Sequence, residues 1–227
     1  MLKSTPNYYP PGINVYVPKM KYDCDVIHGP AVLRLNFGPV VVANATGILS
    51  AQSINTAGSQ NVFAVTYLES AMGPWGRNLT VIASGAATSN VTVKGTDYLG
   101  QPMAESFTLN GAASVVGLKA FKRISLVTFG ATAATTINLG WGTKFGLPFK
   151  TIAIERELAA NVLAAAGTLA APVFTDPQTS TTGDPRGTYI PTTTPNGTTV
   201  IEADAVINDF INSSGNGGLH GIRQAAA

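Results

Sequence analysis

The sequence predicts an all-β fold, an antiparallel β-sandwich of jelly-roll type with an extended amino-terminal arm and a long polar carboxyl-terminal tail. Three observations predict it. Gly 24 and Pro 14 are spread along all 227 residues. The segments between them are short and rich in threonine and valine. Several of those segments alternate apolar and polar residues, the spacing of a strand with one covered face.

Residues 1–37 read as the arm. Pro6, Pro10, Pro11, Pro18 and Pro30 remove backbone donors and favour extended chain over helix. Tyr8, Tyr9, Tyr16 and Tyr22 lie along the same stretch. Left bare, a row of tyrosines is an apolar patch, so the arm is expected to dock on its own domain or on a neighbouring subunit. Met1-Leu2-Lys3 is followed by no apolar run, so no secretory signal is expected.

Residues 38–150 read as the sandwich core. Leu79 to Ala83 is a strand by composition, and Asn90 to Lys94 alternates Val91 and Val93 against Thr92 and Lys94. A turn through Asp97, Gly100 and Pro102 leads to a return strand, Met103 to Leu109, closed by Asn110-Gly111. Phe121 to Phe129 reads as one strand covered on both faces, because neither face is cleanly polar. Ile137, Leu139 and Trp141 alternate with Asn138 and Gly140 and supply one more. Gly140 and Gly142 are expected to permit a tight bend beside Trp141.

Residues 151–227 read as an extension. Thr151 to Ile154 suits a strand, whereas Leu158, Val162, Leu163 and Ala166 recur at helical spacing and predict a helix within 152–166. Thr175 to Thr199 is a polar loop with almost nothing to bury, the kind of segment a partner holds in place. Val200 to Phe210 recovers enough apolar character for a final strand, and Ser213 to Ala227 is glycine-rich again.

Charge narrows the function. Lys+Arg 14 and Asp+Glu 12 make 11% of the chain, against about 25% in an ordinary soluble domain. A monomer of this mass exposes on the order of 9,700 Å², so the surface carries about half the usual density of charge. Nucleic-acid binding through phosphate neutralisation needs a dense basic patch and is not expected. No apolar run is long enough to span a bilayer as a helix, so no membrane partner is expected either. Residues 1–156 hold 12 Lys/Arg against 6 Asp/Glu and residues 157–227 hold 2 against 6, balances of +6 and −4 that sum to the net +2. A basic body and an acidic tail favour head-to-tail contact between subunits or a clamp within one chain.

Catalytic and metal chemistry find little to work with. The two histidines are His28 and His220, there is no Gly-x-Ser-x-Gly elbow, and His220 sits in the flexible run Gly217-Gly218-Leu219-His220-Gly221. Asp23, Cys24, Asp25 and His28 have metal-ligand chemistry but no second cluster to complete a tetrahedral set. Asp176, Asp184, Glu202, Asp204 and Asp209 match no calcium-loop spacing. A lone Cys24 forbids an internal disulfide and fits a reducing compartment. No enzyme activity, metal or cofactor is expected.

Blocks at Gly76–Ser84, Val91–Glu105, Gly117–Ile124, Gly146–Pro148 and Thr182–Tyr189 resemble those of a group of tailed-bacteriophage structural proteins, similar to capsid cement or decoration proteins. The match spans Arg77 to Tyr189, and its motifs are turns and strand ends. The resemblance implies a virion component without catalytic residues, set on the capsid surface and assembled in the host cytoplasm. Its implied partners are the major capsid protein and further copies of itself, as a trimer or dimer. Pro6 to Tyr22 and Thr175 to Thr199 would then clamp adjacent capsid subunits, with Tyr8, Tyr9, Pro10, Pro11, Tyr16, Tyr22, Asp184, Arg186 and Tyr189 as partner-binding residues. Two rivals are a tail or neck structural protein of the same virion and a carbohydrate-binding module using Trp75 and Trp141.

Overall fold

The computed structural model describes residues 13–15, 31–54, 60–63, 69–131, 135–173, 175–179 and 181–207. Among them the chain is all β, with one 3-10 turn at Glu69–Met72 and no α-helix. The strands run β1 (Ile13–Val15), β2 (Ala31–Gly38), β3 (Asn44–Ser53), β4 (Gln60–Phe63), β5 (Arg77–Ala83), β6 (Asn90–Thr96) and β7 (Pro102–Thr108). They continue as β8 (Val115–Phe121), β9 (Arg123–Phe129), β10 (Thr136–Gly146), β11 (Thr151–Ala159), β12 (Val162–Ala164), β13 (Thr168–Ala170), β14 (Thr188–Ile190) and β15 (Ile201–Ile207).

Three antiparallel sheets result. A hairpin sheet has the order β4-β9-β6-β7, and a central sheet the order β13-β14-β10-β5-β8 with β3 also paired to β10. A flank sheet, β1-β2-β15-β11-β12, draws its strands from both ends of the chain. The hairpin and central sheets close as a sandwich over Leu79, Val81, Val91, Val93, Phe107, Val127, Phe129, Ile137 and Leu139. A second core lies under the flank sheet, where Phe37 meets Trp75, Phe145 and Tyr189 with ring centroids at 5.2, 5.1 and 5.8 Å. Strand β10 contributes Ile137 and Leu139 to the first core and Phe145 to the second, which ties the two together.

The expected strands at 79–83, 90–94, 103–109 and 137–141 are present as β5, β6, β7 and β10, and β6 with β7 forms the expected hairpin. The final strand expected within 200–210 is present over Ile201–Ile207 as β15, and residues 208–210 lie outside the described ones. Two expectations are corrected. The helix within 152–166 is instead the hairpin β11–β12, turned by Ala160 and Asn161 at φ 49° and 66°. Leu158 and Leu163 sit opposite each other across it, and β15 pairs along the other side of β11, so sheet contacts override the helical period. Phe121 to Phe129 is broken at Lys122 into β8 and β9, which belong to different sheets. A bulge between the Lys94–Leu126 and Gly95–Ile124 pairs then turns both Ile124 and Val127 inward, three residues apart.

At Gly140 the pairing with β3 shifts register, from Leu139–Leu49 to Trp141–Asn44, and the glycine lets β3 approach: a Cβ would lie 1.8 Å from the Asn44 carbonyl oxygen. Gly140→Ala is therefore expected to cost about 1–3 kcal/mol, since backbone on the facing strand has to yield. Thermal unfolding measures it, and a wild-type midpoint would contradict the close approach.

Candidate functional site

Charged side chains in the interior mark where this fold concentrates its chemistry. Asp97, Glu105, Lys119, Asp184 and Arg186 are all at most 4% exposed, and they converge where the segment 175–187 crosses β7 and β8. Both strands are the outer strands of their sheets, so both have backbone donors without a neighbouring strand.

Carboxylates take the place of that strand. Glu105, pointing inward from β7 in phase with Met103 and Phe107, accepts the backbone N–H groups of Leu118 and Lys119. Asp184 accepts from Ala120 N and Arg186 N, both at 2.9 Å. Lys119 sends its ammonium the other way, to the carbonyls of Pro177 at 2.7 Å and Thr179 at 2.6 Å, while Ala104 N donates to Pro177 O at 3.0 Å. Burial pushes Glu105 up to about 7, against the opposing pull of its two backbone donors and of Lys119. Burial also raises Asp184 and lowers Lys119.

Arg186 completes the seam. Its guanidinium pairs with Asp97 and lies 4.9 Å from the Tyr98 ring centroid. Asp97 caps the β6–β7 turn by accepting from Leu99 N at 2.8 Å and Gln101 N at 2.9 Å. Burial lifts the Tyr98 phenol to about 12, and its hydroxyl donates to Pro148 O at 2.7 Å. A few residues on, the Tyr189 hydroxyl donates to Glu157 at 2.6 Å, and the same carboxylate accepts from Thr192 N and Thr193 N at 2.9 and 2.7 Å.

Chemically the arrangement is a fastening. The carboxylates here accept from backbone amides, the Tyr189 hydroxyl or Arg186, and the ammonium is held between carbonyls. Arg77 extends the theme: fully buried, it donates to the carbonyls of Val41, Ala71 and Gly142, and burial lowers it to about 10.

The residues singled out in the sequence divide sharply. Asp184, Arg186 and Tyr189 are interior, 4%, 3% and 0% exposed, and they hold this chain's own tail segment rather than face outward. Tyr8, Tyr9, Pro10, Pro11, Tyr16 and Tyr22 lie outside the described residues, as do Asp23, Cys24, Asp25, His28 and His220. Of the acidic calcium candidates, Asp184 and Asp204 are far apart in role: the first caps β8, the second is ion-paired to Arg34 and Arg156. No group of three His, Cys, Asp or Glu side chains suited to a metal ion occurs among the described residues. Trp75 and Trp141 are both buried, and Trp141 Nε1 donates to Val42 O at 3.0 Å, so neither offers a ring face to a sugar.

Sequence reasoning missed Glu105, Lys119 and Glu157. A usable signal existed for the first: a glutamate in the inward phase of a strand between Met103 and Phe107 needs a buried partner.

Comparison of the chain with protein families, with curated proteins and with solved structures finds no match in any of the three.

Proposed function

We propose that this protein is a structural assembly subunit, specifically a tailed-phage virion protein that stabilises the capsid by clamping adjacent major capsid subunits. One observation carries the reading: where the buried charges go and which apolar side chains stay outside. Interior charge is committed to fastening the chain, while large apolar side chains stand outside it, among them Leu99, Val116, Leu118, Val162 and Leu163, each at least 50% exposed. Such positions on a charge-poor surface are what repeated protein–protein contacts use. The resemblance of the turn and strand-end blocks supplies the virion setting, and the Pro/Tyr-rich arm supplies the clamp.

Deleting residues 1–22 is expected to abolish binding to empty capsids while circular dichroism and melting stay close to wild type. Only β1 is lost from the described fold, and it is the short outermost strand of the flank sheet. Unchanged capsid occupancy by the truncated protein would sink the clamp. Copies per particle separate shell from tail, since a cement protein is present in large numbers and an axial tail protein in a ring.

A further inference from the structure

The flank sheet has one face on the second core and an outer face of half-buried polar and apolar side chains. Leu33, Leu35, Phe37, Ile201, Ala203, Ala205 and Ile207 point inward and are at most 2% exposed. The alternate residues point out. Register aligns Leu163, Leu158, Glu202 and Asn36 in one row across β12, β11, β15 and β2, and Arg156, Asp204 and Arg34 in the next. We propose that this outer face is a twofold interface between two copies of the chain.

Charge selects a second copy as the occupant. Asp204 is shared by Arg34 and Arg156, which leaves one guanidinium charge over, and Arg156 is half exposed. Glu202 in the neighbouring row receives the Asn36 amide at 3.1 Å and attracts Arg34 from a distance, without a direct ion pair among the described residues. One face thus carries a cation-rich row beside a row that bears an anion. A twofold rotation lays the acidic row of one copy on the basic row of the other, the self-complementarity an isologous contact requires.

Apolar area agrees. Leu158 and Leu163 flank the charged rows on one side, and Val32 and Val206, paired across β2 and β15, flank them on the other. Strands of 8, 7 and 9 residues with two short outer ones present on the order of 500 Å² per copy at ordinary strand spacing, or about 1,000 Å² in all, the lower bound for a specific interface. Ala160 keeps β12 in place at a positive φ that a non-glycine residue adopts at a cost of about 1–2 kcal/mol. That cost is retained although β12 brings Val162 and Leu163 to 69% exposure in the free chain.

Hairpin β11–β12 contains its own control. Leu163 pairs with Leu158 on the outer face, whereas Val162 pairs with Ala159 in the inward phase, and both are equally exposed. Sedimentation of the full chain at about 100 μM is expected to give a dimer for wild type and V162E. Leu163→Glu should weaken it at least tenfold, with melting curves unchanged for both variants at a dilution where every chain is monomeric. A wild-type monomer, or equal behaviour of the two variants, overturns the proposal. So does a monomer that dimerises only after removal of residues 208–227, because the chain's own tail would then be the occupant. The outcome is separable from the capsid reading: a dimer that leaves capsids bare fails that reading alone, and a monomer that decorates them fails this one.

Discussion

Replacing Arg186 with methionine is expected to cost about 3–5 kcal/mol of stability, and adding Asp97→Asn to the same chain is expected to restore most of it. Both partners are 3% exposed, so removing the guanidinium strands a carboxylate in the interior. Asp97 is unable to turn to water, because its Oδ1 is committed to Leu99 N and Gln101 N in the β6–β7 turn. Asparagine keeps that oxygen and its two bonds but carries no charge. Methionine keeps much of the volume that packs against the Tyr98 ring. For a chain of this length the single variant should melt about 10 °C lower, and the double variant within a few degrees of wild type. Circular dichroism on the two singles and the double measures the coupling; a double variant as unstable as Arg186→Met alone would show that the ion pair does not carry the seam.

That seam explains which parts of the fold could be read in advance. Strands with one partner-independent face were legible: β6 alternates cleanly, and the turn from it into β7 is spelled out by Asp97, Gly100 and Pro102. Elements whose identity depends on distant chain were not. In β11, Leu158, Val162, Leu163 and Ala166 fit a helix as well as a hairpin, and β15, some forty residues on, decides between them. The break at Lys122 was hidden for the same reason, since the sequence from Phe121 to Phe129 never loses strand character while the chain passes from one sheet to another. The segment 175–199 looked empty of buried residues because its apolar content is low. Burial there is ionic and aromatic instead: Asp184, Arg186 and Tyr189 are anchored by Asp97, Glu157 and the backbone of β8, partners 32 or more residues away. Composition reports how much of a segment is apolar, but it does not report that a carboxylate will find two amides.

Stability is expected to fall by roughly 3 kcal/mol between pH 5 and pH 8, with Glu105 as the main cause. Its carboxyl moves from an ordinary 4.5 to about 7 on folding, so the folded protein binds this proton more tightly than the unfolded chain. The contribution is therefore fully present below about pH 4.5 and is lost as pH rises through 7. Burial pushes Asp184 in the same direction. Asp204 opposes both at the acid end: burial pushes its carboxyl up, but the hydrogen bonds from Arg34 and Arg156 outweigh that and hold it below 3.8, so its contribution is lost only in stronger acid. Together these shifts place the stability maximum near pH 5. Histidine side chains ordinarily titrate in this window and the chain contains two, so the wild-type profile alone does not identify the group. Glu105→Gln does, because glutamine still accepts from Leu118 N while removing the ionisation. Urea unfolding at successive pH values should give a falling profile for wild type and a nearly flat one for the variant. An equal slope in both would assign the pH dependence elsewhere, and a wild type more stable at pH 8 than at pH 5 would mean that the backbone donors and Lys119 outweigh burial at this carboxylate.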